Sequence, residues 1–381
     1  MDPKVAAVGD RIRSRIPAGL TQATLADRVD MTPDALSRAM NGRRGFSTIE
    51  LTDIAHILDV EVHWLITGEP DPHRVSVVAR HAWDAESRRR VNPGKFSDDA
   101  IVKRVEALYL DAFPEGLPPS RATFTSARQV RDQLGEGFVR RFGELAESEL
   151  GIDVVRVSGL STDYSIQIGD RLVIVLSGGT HWYKSNWSLA HELGHIANGH
   201  HGESTCSVDE QEGAANAFAA DLLLPAEQIR AVDWAAESEG GVAEFLWKSG
   251  VSRQALKVRL DNLRLGVSSD VSRALNRSTP QLVGRWLFET GRRTELADRQ
   301  QDSARRRFPL DLLGALTERV ETGQADPEGL AWALDVPVDD IDFPEPESDE
   351  VLAARYSARH SKPPSEVVAR LIESTSETAD G

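Results

Sequence analysis

His191, Glu192 and His195 stand in the order H-E-x-x-H within SLAHELGHIANGHH, residues 188–201. On a helix, positions four apart share a face about one turn from each other, so the two imidazoles form two legs of a tetrahedral metal site. Zinc suits these donors. Glu192 is too close to the first ligand to coordinate easily, but it can take a proton from a water that the metal activates.

A third ligand has two sources. His201 is the eleventh residue counted from His191, where the pattern H-E-x-x-H-x-x-G-x-x-H places its last histidine. That pattern has glycine where this chain has Asn198, and it rests on a downstream methionine turn. Met1, Met31 and Met40 all precede the histidines. The other source is DEQEGAANAFAADLLLP, residues 209–225, in which Glu212, Ala215, Asn216, Ala219 and Leu223 recur at helical spacing before Pro225 ends the helix. Glu212 and Asn216 fall on its apolar face, where a carboxylate is costly to bury without a cation. Glu212 as third ligand, with Asn216 bonded to a ligand imidazole, accounts for both burials and leaves His200 and His201 outside the ligand set. His181, Tyr183, Tyr164 and His200 are the nearby side chains that could donate to a developing oxyanion.

The elements that must hold these residues are readable in outline. The stretch 177–186 reads as a loop, and a helix capped by Ser185 begins near Asn186 or Trp187 and stops at Gly199. Before it, DVVRV, DYSIQIG and DRLVIVL are short β-branched runs, with Gly169-Asp170 suited to a two-residue turn. They predict a small antiparallel sheet whose run 171–176 serves as an edge for an extended substrate.

The first seventy residues carry a different signal. Thr21 caps a helix with Leu25, Ala26 and Val29 inward. Thr32 caps the next, Pro33 takes its first position, Leu36, Ala39 and Met40 face inward, and Asn41-Gly42 ends it. Two helices about four residues apart have the spacing of a helix-turn-helix. GEPDPH, residues 68–73, is the break that follows.

Residues 8–67 resemble the Cro/C1-type (XRE) helix-turn-helix domain in LTQATLA, in the S, A, NG and R positions of SRAMNGRR, and in the later IAHILDVEVHWL. The resemblance implies that Gln22 contacts phosphate, that Thr32, Asp34, Ala35, Ser37 and Arg38 face the groove, and that Arg43 and Arg44 hold the backbone. Residues 150–265 resemble the ImmA/IrrE zinc metallopeptidases in SLAHELGH, in EGAANAFAADLLLP and in GVSRQALKVRLDNLRL. This implies His191, His195 and Glu212 as ligands of one Zn2+ per chain (Mn2+ serving in vitro) and Glu192 as general base. The family usually has arginine and phenylalanine where this chain has Asn186 and Trp187. The implied activity is cleavage of a regulatory protein, commonly a helix-turn-helix repressor, in trans or within the chain itself. The implied partners are DNA and that substrate, and a homodimer is compatible with them. A non-catalytic sensor on the same fold, or an interaction protein that neutralises its partner by binding, are the other readings.

Composition sets the outer limits. The 381 residues are 40% apolar and 27% charged, with no apolar run approaching the roughly eighteen residues of a membrane span. An N-terminus without an apolar signal core and a single cysteine, Cys206, fit a cytoplasmic protein without disulfides. The net charge is −16, yet residues 1–80 hold ten Lys/Arg against eleven Asp/Glu, leaving −15 for the rest. DNA contact is therefore local to one end. The fold class expected is mainly α and multidomain. It comprises an all-α helix-turn-helix domain (1–70), a helical linker and packing region (71–150), an α+β minigluzincin-like metallopeptidase domain (151–265) and a helical C-terminal region (266–381) with a frayed tail. The basic cluster DRQQDSARRRF, 298–308, reads as a solvated face.

Overall fold

The computed structural model describes residues 2–79, 82–84, 89–91, 94–201 and 206–343. The acidic stretch from 344 and the amphipathic segment 365–375 lie outside the described residues. The chain begins with α1 (Pro3–Arg15), α2 (Gln22–Arg28), α3 (Pro33–Met40), α4 (Thr48–Leu58) and α5 (Val62–Thr67). β1 (Val75–Ala79), β2 (Ala82–Asp84) and β3 (Arg89–Val91) precede α6 (Lys95–Ala112), α7 (Ala127–Leu134) and α8 (Phe142–Leu150). β4 (Asp153–Val157), β5 (Tyr164–Ile168) and β6 (Arg171–Ser177) lead into α9 (Trp182–Ala197) and α10 (Val208–Leu223). The rest is helical: α11 (Ala226–Arg230), α12 (Glu239–Ser249), α13 (Arg253–Asn262), α14 (Ser269–Asn276), α15 (Thr279–Glu289), α16 (Thr294–Ala304), α17 (Leu310–Glu321) and α18 (Pro327–Leu334).

The first five helices close over their own core, in which Ile12, Leu25, Leu36, Ile54 and Leu65 are fully buried. The expected capping holds: Thr21 Oγ1 accepts from Thr24 N, and Thr32 Oγ1 from Ala35 N with Pro33 at the first position. The connection to the next body is short. Gly68 ends α5, Asp71 N still donates to Glu61 at 3.2 Å, and three residues later Arg74 accepts from Gly169 N at 2.7 Å and pairs with Asp170 at 3.0 Å.

The sheet corrects two expectations. It is mixed, in the order β1-β5-β6-β4, with β4 parallel to β6 and the other pairs antiparallel. The run 171–176 is therefore interior and not an edge, because β6 is paired on both sides. Its continuous burial from Val173 to Leu176 is that of a strand covered on both faces. The edges are β1 and β4, and β4 is bridged on its outer side by Arg307.

Strand alternation divides two cores. Val155, Val157, Ile166, Ile168, Val173 and Val175 face a layer made by α6, α17 and α18. Val154, Ile174 and Leu176 face the layer of α7 to α10 and α12 to α15. The back layer thus draws on residues 95–112 and 310–334, far apart in sequence. Leu316 of α17 is 1% exposed in this layer. Leu316→Ala should cost about 2–5 kcal/mol of the unfolding free energy of the sheet-containing body, read by chemical denaturation. A value near zero would show that α17 is an appendage.

Candidate metal centre and DNA-facing helix

α9 begins a turn earlier than expected, at Trp182, and Ser185 is not its cap. Trp182 is buried edge-on against Trp247 at 5.6 Å between ring centres. Asn186 Nδ2 donates to the Gly250 carbonyl at 3.0 Å. These tertiary contacts fix the first turn without a capping side chain.

Ten of the sixteen residues of α9 are buried, including Ser188, His191, Glu192 and His195 along one face. α10 lies against that face, and Gly194 sets how closely. A Cβ there would stand 2.9 Å from both the Cα and the carbonyl oxygen of Ala215, so only glycine fits. The close approach carries Glu212 and Asn216 of α10 to the histidines.

His191 Nε2 and His195 Nε2 are 3.1 Å apart. Glu212 Oε2 lies 3.4 Å from the first and Oε1 3.9 Å from the second. None of the three residues is more than 1% exposed. Zinc bonds of about 2.0–2.1 Å at tetrahedral angles separate ligand atoms by about 3.3 Å, so two imidazoles and a carboxylate at these spacings fit one divalent ion. Among the described residues, this trio is the group of His, Cys, Asp and Glu that could hold one.

The outer nitrogens of both rings are engaged. Asn216 Nδ2 donates to the Glu212 carbonyl at 2.8 Å, which turns Oδ1 toward His191 Nδ1 at 3.2 Å. An accepting Oδ1 holds the proton on Nδ1 and leaves the Nε2 lone pair facing inward. His195 Nδ1 meets His200 Nδ1 at 2.8 Å. Burial, with the neighbouring His191, lowers the His195 pKa to about 3, and burial lowers that of His200 as well. His195 is thus neutral at physiological pH, the form that binds metal.

The contact with His200 is absent from the sequence reading. Asn198 is not left-handed (φ −94°); Gly199 takes that conformation at φ +67°. Gly199 N donates to Ile196 and His200 N to His195, both at 3.0 Å, a Schellman turn that folds His200 back onto the last ligand. The signal was there in glycine followed by histidine after the helix stop. His201 stands outside the trio, its carbonyl accepting from Ser76 of β1 at 2.9 Å. Tyr164 donates to Asp98 at 2.8 Å in the back layer, whereas His181 and Tyr183 line an 820 Å³ cavity along α9 and α10 beyond Ser188 and Ala220.

In the first body, Gln22 opens α2 and is half-buried. Thr32, Asp34 and Arg38 are exposed on α3, and Ala35 and Ser37 are half-buried there. Arg38 pairs with Asp34 at 3.1 Å and Arg44 with Glu50 at 2.7 Å, while Arg43 is exposed. Met40 is 1% exposed, so it packs inward.

This geometry defines a two-part chain, with a helix-turn-helix ahead of a buried His-His-Glu site able to hold a metal. Residues 13–65 match a helix-turn-helix family, and residues 147–261 match the peptidase family described as the IrrE N-terminal-like domain. The chain therefore joins a Cro/C1-type helix-turn-helix domain to an IrrE/ImmA-like domain. No curated protein and no solved structure gave a significant match to it. No helix among the described residues is long and apolar enough to cross a membrane.

Gly194→Ala should force α9 and α10 apart and lower metal affinity by tenfold or more, in keeping with the loss when a ligand's supporting contact is disturbed. Competition with a chelating dye measures it. Unchanged affinity would mean that the helix crossing does not set the site.

Proposed function

We propose that this protein is a zinc-dependent endopeptidase that regulates transcription by cutting a repressor-type protein, in another molecule or in its own chain. The observation that carries this reading is the convergence of two imidazole Nε2 atoms and the Glu212 carboxylate, with the His191 and His195 Nδ1 atoms held by Asn216 and His200. Zinc bound there would polarise a scissile carbonyl and bring a water's pKa toward about 7.

The chain's own residues supply the rest. Glu192, fully buried beside His191, acts as general base: it takes the proton of the attacking water and delivers it to the leaving amine. Asn216 holds the His191 ring in place, and His200 does the same for His195. The substrate lies extended along β1, the sheet edge that Ser76 ties to the end of α9, because β4 is already bridged by Arg307. The cavity lined by His181, Tyr183 and Val258 takes one of its side chains.

The helix-turn-helix domain implies DNA binding. In this reading, Thr32, Asp34, Ala35, Ser37 and Arg38 meet base edges, and Gln22, Arg43 and Arg44 meet phosphates. Arg44 reaches DNA only by leaving Glu50, so Arg43 carries more of the backbone contact. Arg43→Ala should weaken binding on every sequence and reduce the slope of log affinity against log salt by about one. A gel shift with no affinity even at low salt would instead make the domain a protein-contact module.

The deciding experiment incubates the full chain, with zinc or manganese, with the helix-turn-helix repressor encoded beside it, and identifies products by mass spectrometry. Glu192→Gln should lower cleavage about 10²–10⁴-fold while metal content stays at one per chain. Undiminished cleavage by that variant would sink the assignment of Glu192. Repression that persists in His191→Ala, with no cleavage by either form, would favour the non-catalytic sensor.

A further inference from the structure

The cluster 298–308 is only in part the solvated face its composition suggests: Asp298, Asp302 and Arg305 are exposed, but other members turn inward. Arg299 is 8% exposed, and Arg306 and Arg307 are half-buried. These residues form one wall of a cleft of about 1230 Å³ between β4, the first turn of α9, α16 and the segment after α16. Seven arginines and five carboxylates line it, a balance of +2 in a chain of net charge −16.

Four of the arginines are answered. Arg141 meets Glu144 at 2.6 Å, Arg140 meets Glu295 at 3.5 Å, Arg306 meets Asp335 at 3.0 Å and Arg307 meets Glu147 at 2.5 Å. Arg156, Arg299 and Arg305 form no direct ion pair among the described residues, although the Asp302 carboxylate lies near enough to Arg156 to favour its charge. Arg156 spends one Nη on the Asp302 carbonyl at 2.9 Å. Arg299 gives one Nη to the Trp247 carbonyl at 2.8 Å and stacks its guanidinium against Trp182 and Trp247, 5.2 and 4.7 Å from the ring centres. Burial, with Arg140 nearby, lowers its pKa to about 9, so it still carries its charge at neutral pH.

Five buried atoms of the lining have no partner: Arg156 Nε, Arg299 Nη2, Arg306 Nε, Trp182 Nε1 and Ser303 Oγ. Four are donors only, and the hydroxyl can donate. Apart from the hydroxyl, no buried side-chain acceptor of the lining is without a partner, while the exposed carboxylates of Asp298 and Asp302 stand at its solvent side. Buried polar groups are normally satisfied, and buried donors left unanswered beside a small surplus of positive charge are matched by a ligand that brings acceptors and negative charge together. A phosphate supplies both, and guanidinium forks match its geometry.

We propose that this cleft binds a phosphate-bearing small molecule, with the phosphate seated at Arg299 and Ser303, one turn apart on α16, and beside Arg156, which is held at the neighbouring Asp302 carbonyl. Trp182 belongs to both the cleft and the first turn of α9, nine residues or about 13 Å from His191. Occupancy therefore bears on the helix that carries the metal site. That regulatory consequence rests on the peptidase reading; the binding itself does not.

Isothermal titration of the full chain with pyrophosphate and with ATP tests the site, as purified and again after a chelator has removed metal. One saturable site per chain for either probe, indifferent to the chelator, is expected. Arg156→Gln should weaken it about tenfold or more. Ser303→Ala should weaken it several-fold while leaving the ligand-free melting temperature unchanged, because that hydroxyl has no partner to lose. Hydrogen exchange should slow at 182–186 and 299–307 on binding. Absence of saturation by both probes at millimolar concentration overturns the proposal, as does binding that survives both substitutions. Binding abolished by the chelator also overturns it, since the ligand would then sit on the metal. None of these outcomes depends on proteolysis.

Discussion

Glu212 is a carboxylate stripped of water between two helices, with two imidazoles as its near neighbours. Burying such a group costs several kcal/mol unless a cation answers it. Much of the surrounding structure serves to hold it there. The glycine at 194 lets α10 approach α9 to backbone contact, and the amide of Asn216 is fixed by the carbonyl of Glu212 itself. The Schellman turn at Gly199 brings a further imidazole to the outer side of His195. A metal would relieve the electrostatic cost and lock the helix pair, so occupancy and local stability are two sides of one equilibrium.

The sheet separates this front layer from the back layer of α6, α17 and α18. Its role is to make the front rigid: β4 and β6 are covered on both faces, and Asp153 at the start of β4 is tied to Tyr109 of α6 at 2.8 Å and to Arg171 of β6. The layer draws on segments on both sides of the matched region, 147–261. Residues beyond the metal motif therefore matter to it through packing.

The legible part of this architecture was local. Thr32-Pro33 and Asn41-Gly42 announce their helix because capping is decided within a few residues. Glu212 and Asn216 declared themselves because polar residues on an apolar stripe need a reason. The main errors were all tertiary. β6 looks the same as an edge or an interior strand until its neighbours are known, and here β4 takes its second side in parallel while β1, from some ninety residues away, moves the edge beyond β5. α9 starts at Trp182 because Trp247 and Gly250 hold its first turn, which no capping rule foresees. Arginine in a basic cluster reads as surface, but at Arg299 two indole faces take the place of water.

Only Gly68, Glu69, Pro70 and Asp71 separate the end of α5 from Pro72, whose carbonyl lies against Gly169 of the β5–β6 turn. Four residues span about 14 Å at most. A leash that short makes the second body a passenger of the first: wherever the helix-turn-helix settles, the metal centre is confined to the same small volume. Other proteins gathered on that stretch of nucleic acid would meet it at a local concentration unrelated to its abundance in solution.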